Sequence, residues 1–383
     1  MKVLHLGKFD TLGGIERHVK ALATGLKAAD NVVVNLVSND TTATDRHDYY
    51  GYLTVRAACW GTPFSLALSP TLPALARELH RDYRFDIVHL HFPDPLGQLA
   101  AMALPGPVRR VITWHSDIVK QRWALSTYAP FLRSFVRNAG ALIGATPQHF
   151  STSTQIPAGN PQQIREVIPY GFDPASLAPS KESRRKRDEL LSRSSKRPLI
   201  FAVGRHVYYK GFDVLIRALR DVDADLIIGG RGPLTGALMQ LTRDLGLECR
   251  VEFAGFIADP VLLAYYEACD VFCMPSVERS EQFGLVQLEA MYCSKPVVAT
   301  RLGTGVEYVA IDGETGLLVP PKDVSALANA LCTLLADNAL RVRMGAAGKR
   351  RVEEVFSVEQ MVRKTVSVYH RVLSSGQTTV GTG

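Results

Sequence analysis

The chain has no run of about 18 or more consecutive apolar residues, which argues against a membrane-spanning helix. Nor does it begin like a secreted protein. Met1 to Gly7 carries one lysine and a short apolar stretch that runs on to Gly13-Gly14, without the longer apolar region and small-residue cleavage site of a leader. The expected location is therefore the cytoplasm. No C-x-x-C pair occurs among the cysteines Cys59, Cys249, Cys269, Cys273, Cys293 and Cys332. Cys269 and Cys273, four apart, read as buried apolar thiols in a reducing compartment, not as a metal pair. The dinucleotide fingerprint G-x-G-x-x-G is missing, and so is any repeat of about 20 to 50 residues. No nucleic-acid-binding motif accompanies the basic charge, so a nucleic-acid partner is not expected.

What is present is a chain of 383 residues, 46% hydrophobic, with a formal net charge of +7. That length exceeds one ordinary core and suits two domains. The positive balance suits anionic partners, namely a nucleotide diphosphate or a phospholipid surface. Short apolar runs alternate with helical patterns. Lys2–Leu6, Val32–Val37, Ile87–His91, Arg110–Thr113 and Ala141–Ala145 read as buried strands, with Ile15–Ala28 and Ser69–Tyr83 as the clearest helices. The second half repeats the grammar with strands at Leu199–Val203, Ala224–Ile228, Val251–Ala254, Val271–Met274 and Pro296–Ala299. Helices are expected at Phe212–Arg220, Pro233–Leu245, Pro260–Ala268, Phe283–Met291 and Ser357–Val372.

Such alternation predicts an α/β protein of two Rossmann-like, doubly wound parallel sheets facing across a cleft. The expected divisions are a first domain over 1–175, a linker over 176–197, a second domain over 198–356, a closing helix over 357–373 and a disordered tail over 374–383. The linker's charged stretch, with Arg184-Arg185-Lys186-Arg187, reads as solvated chain or a surface helix, with a membrane-touching basic patch as the alternative.

In open parallel sheets, ligands bind at the loops after the carboxyl ends of the strands. Four motifs fall there. Gly13-Gly14 opens the first helix, where missing side chains and free N–H groups admit a phosphate; a plain turn is the equally weighted alternative. Gly204-Arg205-His206-Val207-Tyr208-Tyr209-Lys210-Gly211 follows a strand and carries two cations able to converge on one pyrophosphate. Glu281-Gln282-Phe283-Gly284-Leu285-Val286-Gln287-Leu288-Glu289 places one carboxylate before a helix and another about a turn inside it. Carboxylates only accept hydrogen bonds and so grip hydroxyl pairs. Thr113-Trp114-His115-Ser116-Asp117 ends a first-half strand. His89 and His91 raise the question of a metal cluster with His115, set aside because no carboxylate or thiolate spacing completes it. Asp221-Val222-Asp223-Ala224-Asp225 holds two D-x-D spacings, but at the start of a strand, the wrong end for a ligand.

Together these pieces resemble the retaining family 4 glycosyltransferases of the two-Rossmann-domain GT-B architecture, over essentially the whole chain and including Asp312-Gly313-Glu314-Thr315-Gly316-Leu317-Leu318-Val319-Pro320. The resemblance implies roles. Gly13 and Gly14 approach donor phosphates or acceptor. Arg205 and Lys210 hold the pyrophosphate in place of a metal, and no cofactor is needed. Glu281, with the amides of Phe283, Gly284 and Leu285, orients the donor sugar, Glu289 binds the ribose, and His115 lies near the sugar as a catalytic group beside Glu281. The closing helix is implied to return to the first domain.

The runs Val111–Gln121 and His91–Pro95 look like bacterial mannosyltransferases of O-antigen or exopolysaccharide assembly. This implies GDP-mannose as donor and a glycan acceptor, lipid-linked and reached at the inner face of the cytoplasmic membrane. Arg109, Arg110, Lys120, Arg122, Arg133 and Arg137 motivate contact with an anionic membrane surface. A UDP- or dTDP-sugar donor, a nucleotide-sugar epimerase, and a non-catalytic nucleotide-sugar-binding partner are the competing readings.

Overall fold

A computed structural model describes residues 1–9, 13–63, 66–118, 122–193 and 197–375. The chain divides into two compact units, one of Met1–Gly171 rejoined by the chain from Val358, the other of Phe172–Ser357.

The first unit is built on an eight-stranded sheet. Its strands are β1 (Lys2–Leu6), β2 (Val32–Ser38), β3 (Asp45–His47), β4 (Leu53–Ala57), β5 (Ile87–Phe92), β6 (Arg109–Trp114), β7 (Ala141–Gly144) and β8 (Ile164–Val167), in the order β3-β4-β2-β1-β5-β6-β7-β8. All neighbours are parallel except the β3–β4 pair. The central strands carry apolar residues on both faces, as a sheet covered on both sides requires. One face packs Leu4, Leu36, Leu90 and Ile112 against helices that include Leu72–Tyr83. The other packs Val3, Ile87 and Val111 against the helices Gly14–Ala28 and Val358–Ser374. The chain's last described helix thus belongs to the first unit, where Val362 sits against Gly25 and Met361 against Gly171.

The second unit has six parallel strands, β9 (Leu199–Val203), β10 (Asp225–Gly229), β11 (Val251–Gly255), β12 (Val271–Met274), β13 (Val297–Thr300) and β14 (Gly316–Val319), in the order β11-β10-β9-β12-β13-β14. Their buried residues form one core with the helices Phe212–Ala218 and Val324–Ala336.

The stretch expected to link the units is part of the second one. A 3-10 turn at Pro174–Leu177 leads into the helix Lys181–Arg193, which packs on the helix Asp259–Ala268. Ser183 and Leu190, seven apart and so on one helical face, are buried there. The stem of Lys186 brings its ammonium 5.9 Å from the Tyr265 ring centre, and Arg187 reaches Glu267 at 3.4 Å. The density of charge concealed this face, because long basic side chains cover apolar surface while keeping their heads in water. Strands β3, β4, β8 and β14 and the helices Pro95–Met102, Arg122–Arg137, Val324–Ala336 and Asn338–Val355 also go beyond the elements read from the sequence. Helix extends through Ser374, and residues 376–383 of the expected disordered tail lie outside the described residues.

Candidate active site

In the second unit, the predicted residues sit on loops at the carboxyl ends of β9 and β12, neighbouring strands paired in parallel. After β9, Tyr208–Lys210 forms a 3-10 turn that ends at Gly211, whose φ is 66°. A Cβ there would lie 2.1 Å from the carbonyl oxygen of Pro275, so only glycine lets the two loops approach. The N–H of Val277 donates to the Tyr209 carbonyl at 2.8 Å and closes the seam between them.

Across that seam, the Lys210 ammonium donates to Oε2 of Glu281 at 2.6 Å. The Ser276 hydroxyl donates to the same oxygen at 3.0 Å, and Thr304 Oγ1 donates to the Glu281 carbonyl at 2.8 Å. The ion pair is largely withdrawn from water, with side-chain exposures of 12% and 11%. Burial pulls the Lys210 ammonium toward deprotonation, but the charge and hydrogen bond of Glu281 outweigh it and raise its pKa. The result is a fixed cation beside a fixed acceptor, able to meet a ligand that carries both phosphate and hydroxyls.

Gly284 then turns the chain at φ 74° and starts the helix Leu285–Tyr292. Phe283 is buried, and the Gln287 amide donates back to its carbonyl at 3.0 Å. The Glu289 carboxylate is buried too, and accepts from the Tyr266 hydroxyl at 2.6 Å. Arg205, by contrast, is exposed on the same loop as Lys210.

Two features of this region were missed in the sequence. Ser276 and Thr304 buttress Glu281, but isolated hydroxyl residues carry no spacing signal. The segment Gly230-Arg231-Gly232, directly after Gly229 at the end of β10, packs backbone on backbone against Gly204 and His206, since Cβ atoms on Gly230 and Gly232 would meet the carbonyl oxygens of those residues. Its glycine density was the available clue. The D-x-D run lies at the opposite end of this sheet, where Asp223 pairs with Arg197 at 2.9 Å. A cavity of 420 Å³ also opens there, lined by Asp225 and Glu248 among others, remote from the loops after β9 and β12.

In the first unit, Gly13 is the residue before the helix Gly14–Ala28, and its carbonyl accepts from the Arg17 N–H at 3.0 Å. The preceding residues 10–12 lie outside the described residues. A cavity of 270 Å³ beside the start of this helix is lined by Lys8, Glu16, His91 and Ser116, with Gly7 and Pro93.

His115 follows β6 but turns its ring inward. Its Nε2 lies 3.1 Å from Nδ1 of His91, and its Nδ1 lies 2.5 Å from the Tyr170 hydroxyl. His91 Nε2 continues to His5 Nδ1 at 3.0 Å. His89 instead reaches Tyr369 at 2.6 Å and Thr113 at 2.7 Å. His18 packs on His115 and Tyr170, with ring centres 5.3 and 4.4 Å apart. Desolvation lowers the pKa of every one of these histidines, His5 and His18 to about 3, so all are neutral near pH 7. The cluster that spacing limited to His89, His91 and His115 therefore gains His5 and His18, and its members are closely packed.

The sequence matches the family described as Glycosyltransferase Family 4 over residues 12–176, and that described as Glycosyl transferases group 1 over 183–351. It is 32% identical to D-rhamnosyltransferase WbpZ of Pseudomonas aeruginosa over 93% of this chain and 92% of that protein. Identity is 28% to O-antigen chain mannosyltransferase C of Escherichia coli, over 98% and 100% of the two chains. A GDP-mannose-dependent alpha-(1-6)-phosphatidylinositol monomannoside mannosyltransferase of Mycolicibacterium smegmatis is 32% identical over 78% and 79%. Among solved structures, sucrose-phosphate synthase from Thermosynechococcus elongatus superposes with a TM-score of 0.79 at 23% identity, covering 98% of this chain and 100% of the other.

Proposed function

This chain belongs to glycosyltransferase family 4, with the GT-B pair of parallel-sheet α/β domains, and from that premise we propose that it is a retaining hexosyltransferase that uses no metal on its donor phosphates. The observation that carries the proposal is the Lys210–Glu281 contact of 2.6 Å, a cation and a carboxylate held together on adjoining loops at the carboxyl ends of neighbouring strands. Lys210 and the exposed Arg205 neutralise the pyrophosphate, whose charge grows as the glycosidic bond breaks, so they favour the transition state over the ground state. Glu281 orients sugar hydroxyls with the amides of Phe283, Gly284 and Leu285, and Glu289 takes the ribose. In a front-face displacement the acceptor oxygen bonds to the anomeric carbon as the bond to phosphate breaks, and a phosphate oxygen takes the acceptor's proton. Positioning and electrostatics supply the acceleration, with no covalent nucleophile. Because the ring nitrogens of His115 are engaged inside the first domain, its part is to shape the site.

GDP-mannose is the proposed donor and a lipid-linked glycan the proposed acceptor. The mannosyl specificity and the lipid-borne acceptor of the named relatives support both. Transfer of a 6-deoxyhexose is the second reading, favoured by the relative named as a D-rhamnosyltransferase. No helix among the described residues is long and apolar enough to cross a membrane. Approach to an anionic bilayer is proposed instead through the first domain, where Arg133 and Arg137 are exposed with Phe131 on one helix; Lys120 lies outside the described residues.

The test incubates purified protein with GDP-mannose, UDP-glucose or dTDP-glucose, octyl α-mannoside as acceptor and a chelator. An α-linked product from GDP-mannose is expected. A β-linked product would remove retention, and activity restored only by manganese would remove the metal-free role of Lys210 and Arg205. Donor altered in the absence of acceptor would favour the epimerase.

A further inference from the structure

We propose that His18, His91 and His115 in the first domain form a three-imidazole binding site for a divalent transition-metal ion, Zn²⁺ foremost, apart from the donor chemistry. One nitrogen of each of the three rings lies within 4.8 Å of the others. The tertiary structure assembles them from three places. His91 ends the inward-facing pair on β5, His115 follows the neighbouring strand β6, and His18 projects from the first turns of the helix Gly14–Ala28.

Of three observations, the first and third favour an ion over plain packing and the second is compatible with one. First, His18 is buried, yet among the described residues neither ring nitrogen has a hydrogen-bond partner. Buried polar groups are almost always satisfied, so an unpartnered imidazole facing two others calls for a ligand. Second, the nitrogens His91 Nδ1 and His115 Nε2 approach to 3.1 Å. One ring can donate an N–H to the other, and a cation bound by both lone pairs would take the place of that proton. Third, the far nitrogen of each of these rings is already held, that of His91 by His5 at 3.0 Å and that of His115 by Tyr170 at 2.5 Å. Metal-binding histidines are oriented in this way, the second nitrogen hydrogen-bonded outward, and here the first would exchange the His91–His115 hydrogen bond for the ion.

A second group of close nitrogens, His5, His89 and His91, lacks this arrangement. Both nitrogens of His89 are taken, by Tyr369 and Thr113. The donor set selects the ligand. Imidazoles without carboxylates suit Zn²⁺, Co²⁺, Ni²⁺ or Cu²⁺ and not Mg²⁺ or Ca²⁺. Burial keeps the rings neutral, the form a metal requires. Three histidines with a water or hydroxide completing the shell is an established zinc arrangement, and the 270 Å³ cavity that His91 lines provides an entry for that fourth ligand. Bound there, the ion ties the helix that begins at Gly14 to β5 and β6, and so fixes the Gly13-Gly14 turn.

The test uses the full chain freed of metal by a chelator, then titrated with ZnCl₂, CoCl₂ or MgCl₂. One Zn²⁺ or Co²⁺ per chain is expected, with a visible Co²⁺ absorption band typical of tetrahedral nitrogen ligands, a higher melting temperature, and no response to Mg²⁺. His18→Gln should reduce affinity at least tenfold, and Tyr170→Phe about 10- to 100-fold by freeing the His115 ring. Circular dichroism establishes that each variant is folded, and Tyr170→Phe decides the matter should His18→Gln not fold. Absence of stoichiometric uptake by the wild type, or uptake unchanged in the folded variants, overturns the site. Sugar transfer by the chelated protein is a separate readout, so loss of this site leaves the proposed activity standing.

Discussion

Lys210 and Glu281, 71 positions apart in sequence, share a 2.6 Å hydrogen-bonded ion pair in which each side chain is almost nine-tenths hidden from water. Burial works against the charged ammonium and the carboxylate beside it more than offsets that, while the carboxylate is also fastened by Ser276. The pair is thus structural and chemical at once.

Lys210→Ala is expected to lower kcat/KM by roughly two orders of magnitude. It should also destabilise the second domain by about 3 kcal/mol, since removing one partner of a buried pair strands the other charge. Lys210→Met combined with Glu281→Gln removes both charges, so thermal melting should recover in part while activity stays low. A loss in the double variant equal to the sum of those in Lys210→Met and Glu281→Gln alone would mean the pair is not coupled.

Arg205→Ala separates chemistry from folding. Its side chain is exposed, so the melting temperature should hold within about 0.5 kcal/mol of stability. The same substitution should cost about 100-fold in kcat/KM if the guanidinium serves the leaving pyrophosphate. Unchanged kinetics would remove it from the site.

Gly211→Ala tests the contact between the loops after β9 and β12. An alanine at φ 66° is strained, and its Cβ would press on the Pro275 carbonyl. A loss of more than about 1 kcal/mol is expected, accompanied by weaker donor binding by calorimetry as the two loops part. Alanine tolerated without change in either measurement would contradict the close approach.

Thiol labelling checks the interior of the second domain. Burial pushes the Cys269 and Cys293 thiols up to about 12, and Cys273 higher still, so each is protonated and inert at pH 8. Cys249 and Cys332 are exposed. Mass spectrometry after brief iodoacetamide treatment should find adducts on these two and none on Cys269, Cys273 or Cys293 until denaturant is added.

Local pattern alone determined much of this protein. Buried parallel strands are near-continuous apolar runs, so Lys2–Leu6, Leu199–Val203 and Val271–Met274 could be read to the residue. The strand-then-loop positions of Lys210 and of Glu281 to Glu289 followed from the same pattern. Edge elements such as Asp45–His47 and Ile164–Val167 are short and half-exposed, and they leave little periodic trace. The charged helix Lys181–Arg193 hides its packed face behind long basic stems. Only the tertiary structure decided that Lys210 reaches Glu281, that Tyr266 holds Glu289, and that His5 and His18 join His91 and His115. Spacing reports neighbours along one strand or one helix, whereas these contacts are made by strand order and helix docking, which set residues tens of positions apart within hydrogen-bond reach.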